Sequence, residues 1–201
     1  MPAADVTPTR LTPGAEKVLA TASRLFYDHG IHAVGVDRVA AEAGVTKKTL
    51  YDRFGSKQRL VLAYLGRREQ QWRDLLAEHL ARHPDPGPSR VLAVFDAALE
   101  RYPGRSDKGC AAVNARAEED LDPTDRPVVD EVTAQKTWLR RRFVDLCVEA
   151  GYADADLLGR RLHLLLEGAL VTLATRAFDA PLEVARSTAE LLLQTATVGA
   201  R

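Results

Sequence analysis

The chain has 201 residues, and its 28 Lys and Arg are balanced by 28 Asp and Glu, so bulk charge implies neither a nucleic-acid coat nor an acidic tail. Its length suits one or two domains with a sizeable core. Two cysteines are too few for a disulfide scaffold, and no apolar run reaches the roughly 20 residues a membrane helix needs, so the expectation is a soluble cytoplasmic protein.

The N-terminus, MPAADVTPTRLTPG, lacks the apolar centre of a signal peptide, and residues 1–12 read as a flexible arm. Thr12 is placed to cap the first helix, with Pro13 in its first turn, where a missing N–H costs nothing. That helix is expected from about Ala15 to His29, with Val18, Ala22, Leu25 and Phe26 facing inward and Gly30 ending it. Residues 36–54, VDRVAAEAGVTKKTLYDRF, read as two short helices joined by a tight turn. Val36, Val39, Ala40 and Ala43 share one face of the first, and Gly44 stops it by reaching the left-handed conformation without a Cβ penalty. Thr46 can cap the second through its hydroxyl, and Leu50 and Phe54 give that helix a buried edge. Lys48 and Asp52 point away from that edge, Thr49 and Tyr51 lie to either side, and Lys47 projects from the first turn. Such a helix suits the major groove of DNA, although the same geometry also occurs as a helical corner that never meets DNA.

A fourth helix is expected from Ser56 to about Leu80, with Leu60, Ala63, Tyr64, Trp72, Leu75 and Leu76 on its apolar face. HPDPGPS (residues 83–89) breaks it. SRVLAVFDAALERY follows as another amphipathic helix, then the loop GRSDKG, the segment CAAVNARAEEDL and the turn-rich LDPTDRP. Three further helices are expected, at about Val128–Ala150, Ala155–Arg176 and Leu182–Val198. No strand pattern or repeat competes, so the fold class is all-α. Charge is uneven: residues 1–60 hold nine Lys and Arg against six Asp and Glu, a net of +3, which leaves −3 for the rest. A modestly basic head suits a DNA reader in which a few well-placed contacts matter more than bulk charge.

The run from about Pro13 to Leu62 resembles the DNA-binding domain of the TetR/AcrR family of bacterial transcriptional repressors. The matching parts are a helix ending in LFYDHG, the helix-turn-helix, and the signature TLYDRFGSKQRL, with Tyr51, Phe54 and the Ser56–Lys57 start of a fourth helix. The resemblance implies about nine helices: a three-helix DNA-binding domain over residues 13–58, then a variable helical ligand-binding and dimerisation domain over 59–201. It implies a transcriptional regulator, not an enzyme, without cofactor or metal. A homodimer would hold a palindromic operator and leave it when a small-molecule inducer binds. Within the recognition helix, Lys47, Lys48 and Thr49 are candidates for base edges, because lysine can donate to guanine and a threonine methyl can touch thymine. Thr46 stands at the helix start. Tyr51, by the family's motif, would contact phosphate, as would Lys57 in the first turn of the next helix. The family often has Thr or Ser at the start of its second helix; here Gly35 offers no hydroxyl, and Arg38 is the candidate to replace that phosphate contact. Arg53 and Arg59 read as solvated surface.

RLHLLLEGALVTLATR (residues 161–176) is apolar around most of its circumference, with Gly168 and Ala169 in the middle. A helix of that kind needs cover on all sides, from its own body and from a partner subunit. Leu165, Gly168, Ala169, Thr172, Leu191 and Leu192 are the expected dimer seam, and the resemblance implies an interface built from the last two helices of each subunit. A monomer with one central core helix is the alternative. For an effector, Trp72, Phe95, Tyr102, Trp138, Phe143 and Phe178 are available as pocket walls, with Asn114 and His163 as polar groups that orient a ligand or are simply satisfied in the core. His79 and His83 are four apart, as in some zinc sites, but no third ligand accompanies them and a solvated helix end is the expectation. Cys110 or Cys147 could sense oxidants if exposed and stabilised as thiolate, and a protein partner could take the effector's place. No Ser-His-Asp order, phosphate loop or carboxylate pair supports an enzyme.

Overall fold

A computed structural model of the chain describes residues 11–103, 108–119 and 126–199. Residues 1–10 of the expected arm, and most of the turns expected at 104–109 and 121–127, lie outside them. The described residues form nine helices: α1 (Pro13–His29), α2 (Val36–Ala43), α3 (Lys47–Phe54), α4 (Lys57–Ala81), α5 (Pro88–Arg101), α6 (Ala111–Glu118), α7 (Arg126–Glu149), α8 (Ala155–Thr175) and α9 (Pro181–Thr195). The chain divides into two compact units after Tyr64, partway along α4.

In the first unit α1 packs on both α2 and α3. Its start is set by Thr12, whose hydroxyl accepts from the Ala15 amide, and its end by Gly30, at φ 91°, whose N–H returns to the Phe26 carbonyl. The inner stripe of α1 (Val18, Ala22, Leu25, Phe26) meets Val39 and Ala40 of α2 and Leu50 of α3, all at most 3% exposed. Phe26 and Tyr64 close this core edge to face, with ring centroids 5.7 Å apart.

The second unit is organised by α8, which packs extensively on α7 and on α9. α5 buries Val91, Leu92, Val94, Phe95, Ala97 and Ala98. α7 and α8 approach closely at Gly159, where an added Cβ would stand 2.7 Å from the Val144 Cγ2 and 2.8 Å from its backbone. The last helix is shorter than the expected Leu182–Val198. It ends at Thr195 because the backbone beyond turns to the α7–α8 connection. There Ala153 N–H donates to the Thr197 carbonyl, Gly199 N–H to the Gly151 carbonyl, and Tyr152 and Val198 form an isolated antiparallel bridge. His79 also differs from expectation. It is 7% exposed rather than solvated, and its Nε2 stands 2.8 Å from the Glu100 carboxylate. Among the described residues no group of three His, Cys, Asp or Glu could hold a metal, and no helix is long and apolar enough to cross a membrane.

Candidate nucleic-acid interface and body cleft

The α2–turn–α3 corner is built by local chemistry. Gly44 is left-handed (φ 67°, ψ 35°) and returns its N–H to the carbonyls of Ala40 and Ala41, which stops α2 cleanly. Gly35 precedes α2 without a side-chain cap. Two residues past Gly44, the Thr46 hydroxyl accepts from the Thr49 amide at 3.1 Å and lies 2.9 Å from the Thr49 hydroxyl, so α3 begins with a satisfied cap. Leu50 and Phe54 anchor α3 to the core. That anchoring leaves Lys47, Lys48 and Tyr51 exposed and Thr49 half-buried on the outer side.

Both lysines are paired within the unit. Lys47 Nζ donates to Asp37 at 3.0 Å, across the turn, and Lys48 Nζ to Asp52 at 2.8 Å, one turn along α3. The Asp37 bond raises the Lys47 ammonium above its ordinary range. These are solvent-exposed pairs, which are worth little. Arg38 is exposed, donates to Glu42 at 3.0 Å and has His29 Nε2 within 3.1 Å. Arg24 binds the same carboxylate, and Arg24 first and Arg38 second hold Glu42 below the usual carboxylate range. Lys57 opens α4 half-buried, and the Ser56 hydroxyl accepts from the Arg59 amide beside it. Arg53 and Arg59 are exposed.

The second unit contains a cleft of about 60 Å³ lined by Arg68, Trp72, Arg101, Tyr102, Cys110, Gln135, Lys136, Leu139, Leu166 and Leu170, among others. Of the aromatic candidates, Trp72 and Tyr102 stand on its wall. Phe95 and Phe143 do not; both are fully buried and pack on each other at 5.6 Å, as core. Trp138 lies under the Arg73 guanidinium, 4.3 Å from the ring centroid. Phe178 is 52% exposed, on the α8–α9 surface. Asn114 donates to the Lys108 carbonyl at 2.6 Å, securing the entry to α6. His163 is off the cleft wall, its Nε2 buried without a hydrogen-bond partner and 3.7 Å from Glu167. The polar groups that do reach the cleft were not legible in sequence: Lys136 meets Glu167 at 2.8 Å across 31 residues. Burial pushes the Tyr102 hydroxyl up to about 12, so it remains neutral there.

Outside the cleft, Leu165, Gly168, Ala169, Thr172 and Leu192 line one apolar groove between α8 and α9, together with Leu164, Phe178 and Val184. Ala169 is already covered by the chain itself, whereas Leu164, Val171 and Leu191 are exposed. The spacing missed Leu157, Leu164 and Val171, which recur every seven residues along the outer side of α8.

Residues 18–64 match the bacterial regulatory proteins of the tetR family. Over nearly the whole chain the fold matches SCO4454, a TetR-family transcriptional regulator from Streptomyces coelicolor, with 31% identity, a TM-score of 0.74, and coverage of 90% of this chain and 92% of that one. The HTH-type transcriptional regulator YxaF of Bacillus subtilis is 29% identical over 175 residues, spanning 83% of this chain and 88% of that protein. The HTH-type transcriptional activator FasR of Mycolicibacterium smegmatis is 49% identical over 51 residues, which is 23% of its length. The chain belongs to the TetR family of bacterial transcriptional regulators, DNA-binding proteins with an N-terminal helix-turn-helix and a helical C-terminal domain. The relatives are regulators, not enzymes.

Proposed function

We propose that this regulator is a ligand-responsive repressor that binds a palindromic operator as a homodimer and is released by a small-molecule inducer. The observation that carries the DNA-reading part is the outer side of α3. Leu50 and Phe54 fix the helix to the core while Lys47, Lys48, Thr49 and Tyr51 remain available to a groove. Lys47, Lys48 and Thr49 take base edges; Tyr51, Lys57 and Arg38 take phosphates; and Thr46 sets the start of the helix. One such helix reads a half-site, so two subunits, spaced by a turn of DNA or a multiple, match a palindrome. The exposed apolar residues of α8 and α9 support the second subunit, because a stripe of this kind needs cover. The cleft is the effector site. At about 60 Å³ it is far below the several hundred Å³ of a typical ligand pocket, so the ligand-bound form is a wider one, and the inducer acts by favouring it.

Fluorescence anisotropy on the intergenic DNA flanking its own gene, at several salt concentrations, tests this. Selective binding that persists at physiological salt with two subunits per site is expected. Lys47→Ala/Lys48→Ala should keep its helical signal and lose roughly a thousandfold in affinity, from four lysines per dimer at about 1 kcal/mol each. Unchanged affinity in that variant would refute the assignment of α3 as the reading helix.

A further inference from the structure

We propose that Cys110 is a covalent modification site for small α,β-unsaturated carbonyl compounds, which enter the cleft of the second unit and are attacked by its sulfur beside Lys136. The thiol is one of a three-group cluster. Lys136 Nζ stands 3.1 Å from Cys110 Sγ and 2.8 and 2.9 Å from the two Glu167 oxygens. Cys110 is the N-cap residue of α6 but its side chain makes no capping bond, so the sulfur is not used in holding the helix. It is half-buried, on the cleft wall.

The segment that carries it is held firmly. Gly109 has φ +62°, and an added Cβ there would stand 2.6 Å from the Leu170 carbonyl oxygen and 3.0 Å from Ala174 Cβ. The backbone before Cys110 is thus pressed against α8. Burial disfavours the charge on Lys136, but the Cys110 sulfur and the Glu167 carboxylate outweigh it, and the group is held as an ammonium. Lys136 is thus a fixed cation 3.1 Å from a sulfur that stands at the start of α6. Cys147 is the internal contrast: it is wholly buried, and burial pushes its thiol up to about 12.

The rest of the wall selects the electrophile. Trp72, Tyr102, Leu139 and Leu166 offer apolar and aromatic surface to an unsaturated carbon skeleton, and Lys136 offers charge to its oxygen. In the step, a sulfur electron pair forms a bond to the β-carbon. The C=C electrons shift and leave an enolate whose oxygen faces the Lys136 ammonium. The proton the thiol gave up to water returns from water to the α-carbon. The adduct is the sum of thiol and enone, with nothing oxidised or reduced. This reactivity does not depend on what α3 contacts.

The test treats the full-length protein with methyl vinyl ketone at pH 7, using glutathione as the reference thiol, and follows intact mass and peptide maps with time. A single adduct at Cys110, formed roughly tenfold faster than on glutathione, is expected, with Cys147 unmodified while the protein is folded. Lys136→Gln/Glu167→Gln removes both charges at once and leaves neither buried alone. It should bring the Cys110 rate down to that of glutathione or lower. Wild-type Cys110 reacting no faster than glutathione overturns the proposal whatever the variant does. So does a folded double variant that reacts as fast as wild type, or prior modification of Cys147.

Discussion

Replacing Leu164 and Leu191 by glutamate probes the proposed dimer at the two most exposed leucines of α8 and α9, which are 73% and 61% exposed in the single subunit. Full burial of a leucine side chain is worth about 2 kcal/mol. Scaled by those exposures and counted on both subunits, covering the pair contributes about 5 kcal/mol to association. That corresponds to roughly four decades in the dimer Kd, before the cost of burying a carboxylate is added. Because neither leucine fills the subunit's own core, the fold itself should change by only about 0.5 kcal/mol. Sedimentation velocity at micromolar protein should show a wild-type dimer and a folded, monomeric variant. The variant's Tm should also lose its dependence on protein concentration. A double variant that still sediments as a dimer at micromolar concentration would show that this stripe is not the seam.

Two further outcomes follow from the packing and the charges. Gly159→Ala in α8 gains helix propensity of about 1 kcal/mol, but its Cβ would sit 2.7–2.8 Å from Val144, so α7 and α8 must separate; a net loss of about 1–2 kcal/mol in urea unfolding is expected. Gly66→Ala in α4 has nothing within 4 Å of the new Cβ and should gain about 0.5–1 kcal/mol, which shows that the Gly159 effect is steric. The His163 imidazole is held below its ordinary 6.5, first by burial and then by Lys136 and Arg140, against the opposing pull of Glu167. The folded chain therefore takes up its proton later than the unfolded chain as pH falls. Stability should be complete above 6.5 and decline below it, and His163→Gln should flatten that part of the Tm–pH profile, whereas an unchanged slope would place the effect elsewhere.

What the residues disclose in advance depends on how far the cause lies along the chain. The Thr12 and Thr46 caps, the Gly30 and Gly44 stops and the Leu50–Phe54 anchor all act within a turn or two, so sequence spacing reveals them. The early end of α9 does not, because Thr197 and Gly199 bond to residues more than forty positions earlier. The cleft is hardest. Aromatic residues are equally good core and wall, and only packing assigns Phe95 and Phe143 to one and Trp72 and Tyr102 to the other. Cys110 stands out in sequence only as a thiol, and nothing local ties it to Lys136 and Glu167, since their meeting depends on how α6, α7 and α8 pack. His79 was misplaced for the same reason: its partner Glu100 lies on α5.

The carboxylates beside Lys47 and Lys48 bear on how such a regulator searches a genome. Asp37 and Asp52 hold Lys47 and Lys48 at 3.0 and 2.8 Å, so these two ammonium groups present little uncompensated charge to a passing duplex. Weak general attraction shortens each stay on irrelevant sequence and leaves less of the protein sequestered among the roughly million or more competing sites of a chromosome. In the proposed reading mode, the lysines leave their aspartates only where base edges and phosphates are correctly arranged. Asp52→Asn should therefore lengthen residence on random DNA more than on the operator, trading selectivity for grip.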